Sequence, residues 1–277
     1  MNCFQLVKEV LDELYESMPG ASEEEKDKNI RRGLRYLEAK YIGLARGEII
    51  NYAHPAIQFA YIYKYLTSHV NLVYQIIASS DLAEMFEQKR INITSVGGGP
   101  GSDILGILKY ILTANQEPSL RCTILDRKTV WEHSCNIFIE KLNPNIQFTN
   151  IFQTFDVVDS RTWATTARYL NSDLFIMSYF MSEIDSLRVG AEPFFAHLFG
   201  NAKAGSLFLY IDNNSSHFYN WFDSLASAHH LEVLRSGEGR MGITDYSEEK
   251  TDLGKYYEKF DSPKIRSDIA FRICRKN

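Results

Sequence analysis

Apolar positions in the first ninety residues recur every three or four places. Phe4, Val7, Val10, Leu11, Leu14 and Met18 make one such stripe, which stops near Gly20. A stripe of this period marks an amphipathic helix. Ser22 followed by Glu25 is a capping-box signal for a second helix, which runs through Leu34, Leu37 and Ile42 toward Gly47. A third helix is predicted from His54-Pro55, because proline is tolerated in a first helical turn. It carries Ile57, Ala60, Tyr61, Tyr63, Tyr65 and Val70 and continues through Val73 and Ile76, and a short helix over 81–89 comes next. No strand pattern interrupts this region. Residues 1–90 therefore read as a helical cap, with 51–55 and the tyrosines at 61, 63 and 65 as candidates for lining a substrate pocket. The plainer reading of those tyrosines is packing with their hydroxyls at the surface.

From residue 91 the pattern changes. Short apolar runs at 91–96, 121–125, 146–151, 173–180 and 206–211 alternate with helical stretches, which predicts an α/β fold with a doubly wound parallel sheet. The run at 173–180 is continuously apolar, as a strand buried on both faces should be. A strand at 231–234, a loop holding Gly237, Gly239 and Gly242, and a final strand at 268–274 complete a seven-stranded sheet. The expected division is a cap over 1–90 and an α/β domain over 91–277.

Composition narrows the class. The chain has 277 residues, 45% hydrophobic and 23% charged, close to averages for globular proteins. Its longest apolar runs, such as 207–211, fall far short of the roughly 18 residues of a membrane span. The N-terminus lacks a basic start followed by an apolar stretch, so no signal peptide is expected. Four scattered cysteines have no metal-ligand spacing, and the expectation is buried, reduced thiols in the cytoplasm, with the nucleus as the alternative. A net charge of −5 and a pI near 5.8 argue against a broad basic surface for nucleic acid.

The chemistry concentrates at 94–103, Thr-Ser-Val-Gly-Gly-Gly-Pro-Gly-Ser-Asp. An apolar strand stops at three glycines, and a helix with Ile104, Leu105, Leu108 and Ile111 on one face begins after Pro100-Gly101. Glycine tolerates positive φ and lets a ligand approach bare backbone. The helix after the turn offers unpaired N–H groups and a positive dipole end to a nucleotide-like guest. A dinucleotide fingerprint, G-x-G-x-x-G, fails here because Pro100, Ser102 and Asp103 occupy the positions it needs, and the Gly-Lys-Ser/Thr of a phosphate loop is absent. Asp126 ends the second predicted strand at the carboxyl edge of the sheet. Its carboxylate can accept two hydrogen bonds from a ribose diol.

The G-x-G-x-G spacing at Gly97, Gly99 and Gly101 resembles motif I of the class I S-adenosylmethionine (AdoMet)-dependent methyltransferases, and the resemblance covers roughly 91–275. It implies AdoMet as cofactor, with Gly97, Gly98, Gly99 and Gly101 beneath its amino-acid end and Asp126 on its ribose. It also implies Asp156 or its backbone neighbour at the adenine, with Asp159 in a competing register, and Ser178 at the end of strand four beside the transferred methyl group. Ser95 stands where that family usually carries an acid. Neither an Asp/Asn-Pro-Pro-Tyr/Phe signature nor a Pro-Cys nucleophile is present. Asp212-Asn213 is similar to the strand-five pair of metal-dependent catechol-type O-methyltransferases. The partner Asp those enzymes need on strand four is replaced by Ser178 and Tyr179, so no metal is expected. Tyr179, Glu183 and His54, with Asp185 and His217, are catalytic candidates on residue type alone, and Tyr61 and Tyr179 are candidates for facing a sulfonium. For His54 the plainer role is to start a helix. The implied function is methyl transfer to an unidentified acceptor, a small molecule favoured slightly over RNA or protein. The alternative is a non-catalytic AdoMet-binding sensor or scaffold.

Overall fold

The computed structural model describes residues 2–164 and 167–277, without the side chains of Ala45 and Ala167. Helix α1, Cys3–Ser17, starts where the Asn2 side chain accepts from the Gln5 N–H at 3.1 Å. It buries Phe4, Val7, Val10 and Leu11 of the predicted stripe. Helix α2, Glu23–Ile42, starts at Ser22, whose hydroxyl accepts from the Glu25 N–H at 3.3 Å. Glu25 answers one residue upstream of the usual box, accepting from the Ala21 N–H at 2.8 Å.

The predicted third helix is continuous but not uniform. Helix α3, Pro55–Tyr61, passes through a π-helical turn, Ile62–Leu66, into α4, Thr67–Ala78. Wide turns of this kind gather at functional sites, and here the turn helps set Tyr61, Tyr65 and His69 in one aromatic row. Helix α5 is a single turn, Leu82–Met85, rather than the 81–89 predicted.

Seven strands make the sheet: β1 Arg90–Val96, β2 Ser119–Asp126, β3 Phe148–Thr154, β4 Leu174–Ser178, β5 Leu207–Asn213, β6 Leu231–Gly242 and β7 Arg266–Lys276. They lie in the order β3-β2-β1-β4-β5-β7-β6. The first five are parallel, and β7 runs antiparallel between β5 and β6. Two predicted boundaries shift. β3 lies further along the chain than 146–151, because Ile146 is held in a turn on the Pro144 carbonyl and pairing with β2 begins at Phe148. The glycines at 237, 239 and 242 lie within β6 rather than in a loop. The Phe271 ring of β7 covers Gly237 so closely that a Cβ there would sit 2.4 Å from it. That glycine makes room for an aromatic neighbour; it does not mark a turn.

Helices α6, Ser102–Thr113, and α7, Val130–Leu142, come after β1 and β2, while α9, Arg188–Asn201, and α10, Ser216–Ala228, flank β5. One-turn helices α8, Phe180–Glu183, and α11, Lys255–Lys259, complete the set. Apolar side chains form a core on each sheet face and a third in the cap, where α1, α2 and α3 close over Trp131, Phe138, Tyr256 and Phe260. Helix α4 lies against α6, and Gly106 permits the approach: a Cβ there would come within 2.8 Å of the Val70 carbonyl. The four cysteines are free and buried. Among the described residues no helix is long and apolar enough to cross a membrane.

A buried ion cluster ties these layers together. The Lys109 ammonium, 1% exposed, donates to Glu248 at 2.5 Å and to the Asn71 carbonyl oxygen at 2.9 Å, and pairs with Asp245 at 2.9 Å. Glu248 in turn accepts the N–H groups of Cys3 and Phe4 at the start of α1.

Candidate functional site

The chain runs from β1 outward to β3, then returns to the other side of β1 to lay down β4 and β5. This makes the β1/β4 junction a topological switch point, where ligands of open α/β sheets bind beyond the strands' carboxyl ends. A cavity opens there. Residues at or just past the ends of four strands make its floor: Gly97 and Gly99, Asp126, Asp156, and Ser178 with Tyr179. Its roof comes from the cap and α7, with Tyr52, Tyr61 and Trp131.

Gly97 and Gly99 have φ of +70° and +51°, the left-handed region that penalises side chains. A Cβ on Gly97 would strike the Phe180 ring at 2.3 Å, whereas one on Gly99 would meet nothing within 4 Å. Gly99 thus presents bare backbone to open space. Its N–H donates to Asp126 Oδ2 at 2.8 Å, and the Lys128 N–H donates to Oδ1 at 2.7 Å. Both oxygens keep a lone pair. Burial pushes the Asp126 carboxyl up to about 6, with the two backbone donors pulling against it. Gly98 and Gly101 stand behind the turn against Ser95 and Cys135, and neither lines the cavity.

Asp156 lines the cavity, accepting from the Val158 N–H at 3.2 Å and pairing with Arg127 at 3.1 Å. Asp159, its competitor in register, is turned to Arg161 and caps the turn at Ser160–Thr162. Ser178 ends β4 on the cavity wall. Tyr179 takes the left-handed φ of +56°, rare for a bulky residue and of a kind that clusters at functional sites. Its ring stacks on His69 at 4.2 Å, and its turn sends the chain into α8. That single turn delivers Glu183 to the cavity. The Glu183 carboxylate accepts from the Tyr52 hydroxyl at 2.8 Å and from Tyr41 at 3.4 Å, and the two hydroxyls are 2.9 Å apart. Burial pushes Glu183 up to about 7; the tyrosine hydroxyls lower it and the Asp126 and Asp212 carboxylates raise it.

The remaining candidates lie elsewhere. His54 is an exposed helix cap, its Nδ1 accepting from the Ala56 N–H at 3.1 Å. Asp185 and His217 pair with each other and with Arg188 outside the cavity. Of the tyrosine row only Tyr61 reaches the cavity; Tyr63 donates to the Asp261 carbonyl inside the cap, and Tyr65 packs on Tyr41 and His69. Asp212 is fully buried and accepts the Ser182 and Asn213 N–H groups, steadying α8. Among the described residues no three His, Cys, Asp or Glu side chains gather to hold a metal. Asp103, Tyr41 and Trp131 are the residues that pattern reading missed. Ser95 donates to Asp103 Oδ2 at 2.5 Å, so a buried carboxylate reaches the strand end from the first turn of α6 instead of from β1 itself.

Five parallel strands, an antiparallel β7 inserted between β5 and β6, and a glycine turn at the switch point decide the architecture. The chain has the class I methyltransferase fold. No family model matches the sequence, and no curated protein matches it. Solved structures similar to this class I fold include a SAM-dependent methyltransferase from Methanosarcina mazei, 10% identical, with a TM-score of 0.46 over 71% of this chain and 97% of that one. Precorrin-6y C5,15-methyltransferase from Geobacter metallireducens is 8% identical, with a TM-score of 0.44 over 75% of this chain and 87% of its own.

Proposed function

We propose that this protein is an AdoMet-dependent methyltransferase. The observation that carries the reading is the cradle at the switch point: open space above Gly99, whose N–H anchors an Asp126 carboxylate with acceptor capacity to spare. These groups fit the polar end and the ribose of AdoMet, and in this reading Asp156 serves the adenine side and Ser178 the reacting end. Bound there, AdoMet would supply a methyl carbon activated by a sulfonium. The chain's part is to hold the acceptor in line, keep water out and take a proton. Tyr52, Tyr61, Trp131 and Tyr179 wall off solvent, and their ring faces favour a positive charge. Glu183, a cavity carboxyl that burial pushes up to about 7, is suited to take that proton, which favours catalysis over the sensor or scaffold reading. The roofed cavity favours a small acceptor over RNA or protein.

Thermal unfolding with AdoMet, with S-adenosylhomocysteine and with NAD(H) tests the reading. Ligand at 100 times its Kd should add about 2.7 kcal/mol, at roughly 2–4 °C per kcal/mol for a chain of this size class. Shifts with both sulfur ligands and none with NAD(H) are expected. No shift with either sulfur ligand would overturn the assignment.

A further inference from the structure

The roof of the cavity is chemically specific. The rings of Tyr52, Tyr61 and Trp131 form a triangle with centroids 5.1–5.5 Å apart. The Glu183 carboxylate stands at its edge with only neutral donors, Tyr52 and Tyr41. Asp126 shares the cavity, held by two backbone N–H groups, with the Lys128 ammonium also acting on its carboxyl. Of the two basic residues in the lining, Arg127 is committed to Asp156 and Lys128 acts on Asp126, so Glu183 is the cavity carboxylate whose partners are all neutral. A carboxylate without a cation, beside a cluster of three aromatic rings, is an environment complementary to a positive guest.

Resting on the methyltransferase reading, we infer that the methyl acceptor is an amine, taken up as a cation between the Glu183 carboxylate and the rings of Tyr52, Tyr61 and Trp131. An anionic acceptor would meet Asp126 and Glu183 as like charges. An aliphatic alcohol would need a far stronger base than a carboxylate. For an ammonium the step closes: one N–H proton passes to Glu183 Oε1 or Oε2 and on to water, and the freed lone pair of nitrogen forms the new N–CH3 bond. The methyl–sulfur bond breaks with its electron pair going to sulfur, which leaves as a neutral thioether. The Tyr41 and Tyr52 hydroxyls fix the carboxylate and spread its charge while it waits.

Sinefungin tests this without knowledge of the acceptor, because it carries a primary amine where the cofactor carries its methyl group. Calorimetric titration of the full chain with sinefungin and with S-adenosylhomocysteine should show at least tenfold tighter binding of sinefungin at pH 8. In Glu183→Gln the preference should fall to less than twofold while S-adenosylhomocysteine affinity stays within about twofold of wild type, which also certifies the variant's fold. Tyr52→Phe should lose part of the preference. If neither compound binds wild type, the cofactor reading falls and this inference with it. If both bind wild type equally, or the preference survives in Glu183→Gln, the amine acceptor is wrong and the cofactor reading stands.

Discussion

Two regions of this molecule bury carboxylates, and they do so in opposite ways. Around Lys109 every charge has a partner: Glu248 and Asp245 face the ammonium, and Glu248 also takes two backbone N–H groups from α1. Asp245 is accordingly held down at about 2: burial pushes it up most strongly, but the hydrogen bonds from Lys109 and Ser247 and the Lys109 charge together outweigh that push. At the cavity, Asp126 and Glu183, and behind its wall Asp103 and Asp212, are held by hydroxyls and backbone N–H groups, and burial drives the three aspartates to about 6 and Glu183 to about 7. The same residue types thus serve two ends. A carboxylate with its cation built in is structural, whereas one buried without a cation costs stability until a positive guest arrives.

The contrast meets its severest test at the Lys109 clasp. Lys109→Met leaves a fully buried Glu248 side chain without its cation, and should cost about 3–5 kcal/mol in urea denaturation. Adding Glu248→Met should recover a large part of that loss; no recovery would mean Lys109 matters through packing. On the cavity side, Gly99→Val should nearly abolish AdoMet binding in calorimetry while the protein stays folded, since its side chain would fill the open cradle. Tight binding by that variant contradicts the cradle. Asp126→Ala should weaken AdoMet by about 1.5–3 kcal/mol, the scale of hydrogen bonds to a charged group. Unchanged affinity would remove Asp126 from the ribose role.

The smallest effect is a slope. A carboxyl whose folded pKa is raised binds its proton more readily folded than unfolded, so its stabilising protonation is lost as pH rises from about 4 through 6–7. The ligand-free melting temperature should therefore climb as pH falls from 8 to 5. Glu183→Gln should flatten the upper part of that climb, where Glu183 titrates against Asp126, Asp212, Tyr41 and Tyr52. Below pH 4 the sign reverses for Asp245, whose lowered pKa means stability is lost as the clasp protonates. A melting temperature that falls steadily from pH 8 to 5 would show the cavity carboxylates to be ordinary.

Much of the sheet was legible because it is local. Alternating runs of strand and helix period each span one element, and five of the seven predicted strand runs match an observed strand to within two residues at either end. The glycine loop misassigned within β6 shows the limit: Gly237 is small because of Phe271 on the neighbouring strand, and spacing alone cannot distinguish that from a turn. The π-helical turn after Tyr61 escaped for a similar reason, since its apolar stripe is nearly that of an ordinary helix.

The glycine turn, the carboxylate at the end of β2 and the α/β order could all be read from the sequence alone. Each is set by backbone freedom or apolar period within a few dozen residues, and no distant partner is needed to read them. The contents of the cavity are another matter, because they exist only once the chain has folded. Glu183 meets Tyr52 and Tyr41 across 131 and 142 residues of chain, and Lys109 meets Glu248 across 139. No periodicity encodes such meetings. They depend on the cap closing over α7 and on a strained turn at Tyr179, and both are settled by packing.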